Sequence, residues 1–486
     1  MAFELTSEQE DIINTVVTSP KGTLIKVGAV AGSAKTTTSV LASEALHKAN
    51  CLYLAYNKSI ATEAKEKFPS YVECKTTHSL AYGPIVTHGL MADGNTGAKR
   101  KVDWFNYKSI KQKVSYLDKV DIITHLEVFF VSKYLTLEEY IDNTDEYFND
   151  TVKDLLFFFF DEMIHKRIPC THAFYLKYFH ILLDTEVITY DKSFDLLILD
   201  EAGDINGVTL EIFKLLPANI KLMVGDSLQN IYSFNHTING FEELADVGVT
   251  KHLTRSFRCS TEIAQRIEFF VRTHIDENCV FLGTDHADKS INNEAIISRT
   301  NSGLISYMID LAEDGEMFNL TRPVKEIFST MLILINLKPG CKIHDKNYKY
   351  LLDDLKTYMK SPVLQEKYSS VLVYIKKLHG EHDADIGAAL TTIFKYGAGS
   401  VYTAYKFAQK CEEDSEKHTL TLSTAHSSKG LTFDSVELAP DFNLKKILAK
   451  SPNKRENEDT EELRLYYVAC SRARIQLLNA KYLTEY

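Results

Sequence analysis

Residues 26–38 read KVGAVAGSAKTTT, a short run rich in small residues that ends in a lysine and three threonines. The apolar run at 23–28 predicts a strand, a turn of small residues follows, and Lys35 opens a segment with apolar residues at helical spacing. In such a strand, loop and helix, backbone N–H groups and the helix N-terminus surround nucleotide phosphates. The stretch therefore predicts a phosphate-binding loop at the start of an α/β domain.

The positions of this loop have separate expected tasks. Lys35 is expected to reach the β- and γ-phosphates, and the Thr36 hydroxyl to bind Mg²⁺. The motif is imperfect, because Ala34 stands where glycine is usual and Gly28 comes one position early. The loop alone therefore leaves open an ordinary small-residue turn with an incidental lysine. If it binds nucleotide, further contacts are expected from Ala31, Gly32, Ser33, Ala34 and Thr37.

A pair of carboxylates follows a second apolar run, in DLLILDEAGD at 195–204. An unbroken apolar run is typical of a parallel strand that is buried on both faces, and ligands bind where such strands end. Asp200 is expected to hold Mg²⁺ through water, and Glu201 to orient and deprotonate an attacking water. An acidic pair after a strand is often a helix cap, but its position after a phosphate loop favours a nucleotide site.

The chain alternates strands and helices in two separate sets. Apolar runs at 51–56 and 221–226 extend the first set, and runs at 294–299, 418–424 and 435–440 form the second. The predicted fold class is α/β, with two parallel-sheet cores that each carry a mainly helical insertion. The expected boundaries are 1–83 and 186–252 for the first core, 84–185 for its insertion, 253–301 and 405–486 for the second core, and 302–404 for its insertion.

Composition excludes several other classes. The 486 residues carry a net charge of −11, so any contact with nucleic acid must be local. Eight cysteines without a C-x-x-C pair indicate reduced thiols, not a zinc site or a disulfide framework. Apolar runs are far shorter than the ~18 residues of a membrane span, and the acidic start is unlike a signal peptide. We expect a soluble intracellular protein, cytoplasmic or, in a eukaryote, nuclear, with no membrane partner.

Later segments carry a resemblance to a known family. They are VGDSLQNIYSF (224–234), LTRSFRCSTEI (253–263), STAHSSKGLTFD (423–434) and EELRLYYVACSRAR (461–474). In order and spacing they resemble the helicase motifs of the superfamily 1 UvrD/Rep/PcrA family. The segments at 26–38, 52–69 and 74–83 are most similar to the F-box DNA helicase branch, although no F-box is recognised. The resemblance implies two RecA-like P-loop NTPase cores that bind ATP and Mg²⁺.

The resemblance also implies roles around the nucleotide. Gln9 would read the adenine edge and Phe257 would stack on the base. Gln229 would link the γ-phosphate to the DNA side. Arg258 and Arg472 would meet the γ-phosphate, where permanently charged, planar guanidinium groups suit the spreading transition-state charge. A further nucleotide contact is expected at Gly430.

The implied partner is single-stranded DNA, together with single-strand to double-strand junctions. Tyr232 and Phe234 resemble the aromatics that stack on bases, in keeping with sequence-tolerant binding. For Phe234 and Tyr56, core packing is the alternative, and the histidines could equally be structural. Protein partners in replication, repair or defence are left unidentified. The remaining strand contacts are expected from Tyr56, Asn57, Thr77, His78, Thr424 and His426.

Besides Ala34, two positions depart from the family pattern. Thr432 stands where a glutamate is usual, and Asn235 follows Phe234 where an arginine is usual. The expected function is an ATP-dependent helicase or translocase moving 3′ to 5′ on single-stranded DNA. The alternative is a nucleotide-gated subunit that binds single-stranded DNA without unwinding.

Overall fold

The computed structural model describes residues 4–47, 49–87, 114, 116–190, 192–232, 236–345, 348–380 and 383–483. The chain forms two compact units, Met1–Thr254 and Arg255–Tyr486. Each unit is built around a parallel sheet. In each unit, a group of helices lies along the chain between strands of the same sheet. The predicted fold class, two RecA-like α/β cores with mainly helical insertions, is confirmed.

The first unit contains a six-stranded sheet in the order β3-β2-β4-β6-β1-β8, with parallel pairing throughout. All five residues of β2 are buried, which explains why the strand reads as an unbroken apolar run. Two short strands, β5 and β7, pair antiparallel beside the sheet. The strands are β1 Thr23–Ala29, β2 Cys51–Ala55, β3 Val72–Thr76, β4 Phe194–Leu199, β5 Ile205–Asn206, β6 Ala218–Gly225, β7 Thr237–Ile238 and β8 Val249–Leu253.

Helices of the first unit fall into two groups. Those of the core are α1 Ser7–Thr18, α2 Lys35–Ala45, α3 Lys58–Lys67, α4 Thr77–Thr87, α9 Gly207–Leu215 and α10 Gly240–Glu243. Those between residues 116 and 184 are α5 Tyr116–Val131, α6 Leu137–Asp142, α7 Asp150–Ile164 and α8 His172–Asp184. The second group packs around buried phenylalanines, which accounts for the aromatic sequence there: Phe129, Phe130, Phe159, Phe174 and Phe179.

A buried lysine fixes the turn after α5 within this helical group. Lys177 of α8 is fully buried, and its Nζ donates to the carbonyl oxygens of Ser132 and Tyr134 at 2.7 Å each. The same turn packs on α9, because a Cβ on Gly207 would lie 2.7 Å from the backbone nitrogen of Lys133. Glycine at this position thus permits the close backbone approach.

The second unit contains a five-stranded parallel sheet in the order β10-β11-β9-β12-β13. Its strands are β9 Glu294–Ser298, β10 Asn319–Leu320, β11 Leu420–Thr424, β12 Phe433–Leu438 and β13 Ala473–Leu478. Its helices are α11 Thr261–His274, α12 Asn301–Asp314, α13 Val324–Ile327, α14 Ser329–Ile335, α15 Leu351–Lys360, α16 Pro362–Lys367, α17 Val371–His379, α18 Ala384–Glu413, α19 Lys445–Leu448 and α20 Asn457–Cys470.

The segment 302–404, expected as the second insertion, is not separated cleanly from the second sheet. Strand β10 lies inside that segment and pairs with β11. Helix α18 continues through residue 404, with a kink at Gly397, whose φ is 81°. The amphipathic pattern of α18 is continuous on both sides of the expected boundary, so the sequence offered no local signal for a border.

Two expectations from composition can be compared with the described residues. All eight cysteines lie in this part of the chain and are free thiols. Across the described residues, none of the helices combines the length and the apolar character that a membrane crossing requires.

Acid stability should depend on His180, which is buried in α8. Burial, together with Lys177 and Lys214, lowers the pKa of His180 to about 3. Between the unfolded value of about 6.5 and this pKa, only the unfolded chain binds the proton, so the free energy of unfolding falls as pH falls. The free energy of unfolding of the wild type, measured in urea, should fall from pH 6.5 to pH 5. In His180→Phe this fall should be smaller by about 2 kcal/mol. Equal losses in both proteins would contradict this origin of the acid sensitivity.

Candidate active site

The loop between β1 and α2 is shaped by two left-handed residues. Gly32 has a φ of 74°, and Ala34 has φ 62° and ψ 37°. The loop is closed by the Ser33 N–H, which donates to the Val30 carbonyl at 3.3 Å. It is fixed to the sheet by the Val30 N–H, which donates to the Leu253 carbonyl at 3.0 Å. Ala34 thus adopts the backbone conformation that glycine would provide.

The N-terminus of α2 is suited to an anion. Its N-cap residue, Ala34, has no polar side chain with which to satisfy the first N–H groups. The Ser33 hydroxyl is buried and has no hydrogen-bond partner among the residues that the structure describes. A buried hydroxyl and uncapped N–H groups are donors that phosphate oxygens would satisfy. The loop therefore fits a nucleotide phosphate better than it fits an ordinary turn.

Asp200 follows β4 directly and is almost fully buried. The hydroxyl of Tyr53, on neighbouring β2, donates to Asp200 Oδ2. Burial and the adjacent charge of Glu201 raise the pKa of Asp200 to about 6, although Lys35 opposes the shift. An added cation would relieve this unfavourable charge, which agrees with the chemistry of a Mg²⁺ ligand.

Glu201 is the second acid, and it also has a left-handed backbone, with φ 53°. Its Oε1 lies 3.4 Å from Lys35 Nζ, and both side chains are largely shielded from solvent. The structure thus brings Lys35, Asp200 and Glu201 together at the carboxyl edge of the first sheet. Lys35 and Asp200 are 165 positions apart in sequence, and they meet because β1 and β4 both pair with β6 in the parallel sheet.

Two glycines hold the acidic loop against the loop that carries Gln229. A Cβ on Gly225 would lie 2.7 Å from the Gly203 nitrogen, and a Cβ on Gly203 would lie 2.7 Å from the Asp226 oxygen. Gln229 is buried, and its Nε2 donates to Asp226 Oδ2 at 2.7 Å. Because both loops touch through their backbones, the position of Gln229 is tied to that of the acidic pair.

Gln9, expected to read adenine, is buried and serves as a capping residue of α1. Its Oε1 accepts from the Thr6 N–H at 3.1 Å, and its Nε2 donates to Thr38 Oγ1 of α2 at 3.1 Å. Gln9 Oε1 also accepts from the Thr6 hydroxyl at 3.5 Å, so both of its lone pairs are used and one Nε2 hydrogen is left for a base edge. The structure therefore places Gln9 against the phosphate-loop helix, and its adenine role stays a prediction.

The DNA-binding candidates of the first unit follow β2, β3 and β6. Tyr56 is 44% exposed, and exposed Asn57 caps α3 by accepting from the Ile60 N–H at 2.9 Å. Tyr232 is partly buried. The pKa of Tyr56 is raised mainly by its own burial, then by Asp204 and then by Tyr232. The hydroxyl groups of the two tyrosines are therefore close enough to interact electrostatically. Phe234 and Asn235 lie outside the described residues.

Thr77 and His78 begin α4, immediately after β3. Thr77 is buried, and the His78 ring packs edge-on against Tyr175 of α8 at 5.8 Å between centroids. Burial and the nearby His172 lower the pKa of His78 to about 4. At neutral pH the His78 ring is therefore uncharged, so any hydrogen bond that it makes to a DNA strand would be a neutral one.

The predicted nucleotide-binding and DNA-binding residues of the second unit lie on three of its segments. Phe257 and Arg258 precede α11, and Arg258 Nη1 donates to the Ser471 carbonyl at 3.2 Å. Arg472 follows α20, is 1% exposed, and donates through Nη2 to Ser471 Oγ at 2.7 Å. The two arginines thus converge within the second unit.

The third segment is the turn after β11. Thr424 is buried, and its hydroxyl donates to Ser427 Oγ at 3.0 Å. His426 is partly buried, whereas Gly430 is exposed and has a φ of 87°. Thr432, which departs from the family pattern, is exposed. The roles of these residues in binding nucleotide or DNA stay predictions.

Sequence reasoning missed Tyr53 and Ser471. Tyr53 stands in the fully buried strand β2, and a buried tyrosine needs a partner for its hydroxyl, which was the available signal. Ser471 gave no such signal, because its two arginine partners are joined only by the fold.

The fold and site together define the class of protein: a P-loop NTPase with two RecA-like cores. The model of the UvrD-like helicase C-terminal domain matches residues 102–482. The chain therefore belongs to the UvrD-like helicase family.

Two curated relatives match nearly the whole chain. F-box DNA helicase 1 of Gallus gallus is 25% identical over 527 aligned positions, which cover 98% of this chain and 49% of the relative. F-box DNA helicase protein 1 of Schizosaccharomyces pombe is 24% identical over 523 positions, which cover 98% of this chain and 57% of the relative. The chain spans about half the length of these relatives. The resemblance to the F-box DNA helicase branch is confirmed.

Ala34→Gly should stabilise the protein. A left-handed backbone costs alanine more than glycine, so we expect the free energy of unfolding to rise by about 0.5 to 1 kcal/mol. Ala42→Gly is the matched control, because Ala42 lies within helical α2, where glycine should lower stability by about 1 kcal/mol. Urea unfolding of both variants makes the comparison, and a destabilised Ala34→Gly would refute the strain assigned to Ala34.

Proposed function

We propose that the chain is an ATP-dependent DNA helicase or translocase that moves 3′ to 5′ on single-stranded DNA. The observation that carries the proposal is the convergence of Lys35, Asp200 and Glu201 beside the uncapped N-terminus of α2. Membership of the UvrD-like helicase family and the names of the two relatives support DNA as the track. The direction rests on the family resemblance.

The residues at the phosphate loop fit a magnesium nucleotide. The Thr36 hydroxyl and Asp200 would hold Mg²⁺, which would neutralise phosphate charge. Tyr53 holds one oxygen of Asp200, and the rest of that carboxylate remains to bind the hydrated ion. The buried Ser33 hydroxyl would donate to a phosphate oxygen.

Binding of the phosphates would itself release the catalytic base. Lys35 is paired with Glu201 in this structure, and the same ammonium group is expected to bind the β- and γ-phosphates. When Lys35 turns to the phosphates, its ion pair with Glu201 would be broken, and the carboxylate would then orient and deprotonate water.

The remaining nucleotide contacts would come from the residues that the family resemblance assigns. Gln9 and Phe257 would hold the adenine, and the Gly430 turn would add a further contact. Gln229 would sense the γ-phosphate, since its loop is packed against the acidic loop. Arg258 and Arg472 would stabilise the transition-state charge, and such residues are worth about 10³ to 10⁵ in rate.

The DNA track would run along the ends of the β-strands. Tyr56 and Tyr232, whose hydroxyl groups interact, are aromatics that suit stacking on successive bases, and Asn57 is exposed beside Tyr56. Further contacts to the backbone of the bound DNA strand would come from Thr77, His78, Thr424 and His426. A junction with double-stranded DNA would bind at the end of this track. The alternative, a nucleotide-gated binding subunit, would use the same track without turnover.

Glu201→Gln should bind ATP and fail to hydrolyse it. The amide keeps the size of the side chain but cannot accept a proton, so DNA-stimulated turnover should fall by about 10² to 10⁴-fold. Glu211→Gln, on α9, removes a carboxylate that pairs with Lys214 and is the matched control. Turnover at the wild-type rate in Glu201→Gln would exclude Glu201 as the base, and a wild type without turnover would favour the binding subunit.

Tyr232→Ala should weaken binding of single-stranded DNA. Loss of one stacked base costs about 1 to 3 kcal/mol, with little dependence on base sequence. Fluorescence anisotropy of a labelled oligonucleotide at one fixed salt concentration measures the change. Tyr147→Ala, which removes a tyrosine that is 94% exposed, is the control and should bind normally. Unchanged binding by Tyr232→Ala would assign Tyr232 to packing alone.

A further inference from the structure

Two arginines of the second unit are joined by one serine. Arg258 Nη1 donates to the Ser471 carbonyl at 3.2 Å, and Arg472 Nη2 donates to the Ser471 hydroxyl at 2.7 Å. Arg258 and Ser471 are 213 positions apart in sequence. Both guanidinium groups are therefore hydrogen-bonded to the same residue.

The backbone at both arginines is fixed by other hydrogen bonds. The Arg258 N–H donates to Ser256 Oγ at 3.3 Å, and the Arg258 carbonyl is hydrogen-bonded to His286 Nε2 at 2.8 Å. The Arg472 carbonyl accepts from the Phe433 N–H at 3.0 Å. Loss of the Ser471 hydroxyl would therefore change the direction of the Arg472 side chain more than the course of the chain.

The orientation of the Ser471 hydroxyl is itself determined. Ser471 is the C-cap residue of α20, and its hydroxyl donates to the Val468 carbonyl at 3.0 Å. With its only hydrogen used there, the oxygen presents its lone pairs to Arg472. Arg472 Nε donates to the same Val468 carbonyl at 2.8 Å, and Nη1 donates to the Leu431 carbonyl at 3.5 Å, so the Ser471 hydroxyl is one of three groups that hold the guanidinium.

The end of α20 also stabilises the two positive charges. Carbonyl groups at a helix C-terminus carry partial negative charge, which favours cations within the last turn. Val468 and Ser471 supply such carbonyls to Arg472 and Arg258. Two like charges can therefore stay close together before an anionic nucleotide arrives.

We infer that Ser471 is a positioning residue that sets Arg258 and Arg472 for the γ-phosphate. The inference rests on the proposed hydrolysis of ATP. Arg258 is held by the Ser471 carbonyl and Arg472 by the Ser471 hydroxyl. Because the hydroxyl acts through Arg472, its loss should affect turnover and leave unchanged the affinity for ADP, which lacks the γ-phosphate. A purely structural serine would show no such distinction.

Ser471→Ala, Ser471→Cys and Ser471→Thr test this inference in the full chain with a single-stranded oligonucleotide. Alanine removes the acceptor and cysteine replaces it with a weak one, so kcat should fall by about 10- to 100-fold in both. Threonine keeps the hydroxyl and should restore most of the turnover. ADP affinity and the thermal unfolding midpoint should match those of the wild type.

Ser43→Ala is the matched control. Ser43 is fully buried, and its hydroxyl donates to the Val40 carbonyl three positions earlier at 2.6 Å, as Ser471 does to Val468. Its kcat should equal the wild-type value. Undiminished kcat in both Ser471→Ala and Ser471→Cys, or a loss that threonine does not restore, would overturn the inference alone. A wild type without hydrolysis would overturn the proposed function, and the inference with it.

Discussion

The candidate active site depends on a close contact between two backbones at the carboxyl edge of the first sheet. Strands β4 and β6 are neighbours in register, and the loops that follow them remain in contact because Gly203 and Gly225 have no side chains to separate them. The Ala202 N–H donates to the Val224 carbonyl at 3.0 Å across this contact. The acidic pair and Gln229 are therefore positioned by main-chain packing, and a methyl group at either glycine would meet backbone atoms, which cannot move aside.

Electrostatics then decide the state of the site. Burial raises the pKa of Asp200 and the neighbouring Glu201 raises it further, while Lys35 counteracts both effects. Because Lys35 is paired with Glu201, the lysine partly compensates two acids. Phosphates alone would compete for the lysine and leave the acids uncompensated. A nucleotide that brings its own divalent cation would remove this conflict, which connects the charge pattern to the proposed binding of a magnesium nucleotide.

Much of this arrangement could be predicted from sequence, because its signals are local. The phosphate loop and the buried strands β1, β2, β4 and β6 combine apolar runs with turn residues, and both sheets were expected. Strands β3 and β8 carry polar residues, as in VECKT and VTKHL, because they are edge strands, so they lack an apolar run. Tyr53 bonds to Asp200, 147 positions away, and Ser471 bonds to Arg258, 213 positions away, so no pattern of neighbouring residues could reveal those two contacts.

Backbone strain gives the departure at Ala34 a physical meaning. Among the described non-glycine residues with positive φ, His47, Lys166 and Glu186 each follow a helix end, where the left-handed conformation is common. Of the other four, His236 directly precedes β7 and Asn479 directly follows β13, whereas Ala34 and Glu201 both lie at the phosphate site. Strain that persists at a site is held there by its surroundings. The loop thus retains the left-handed turn despite the loss of glycine, so the substitution alters the stability of the loop and leaves the direction of its N–H groups intact.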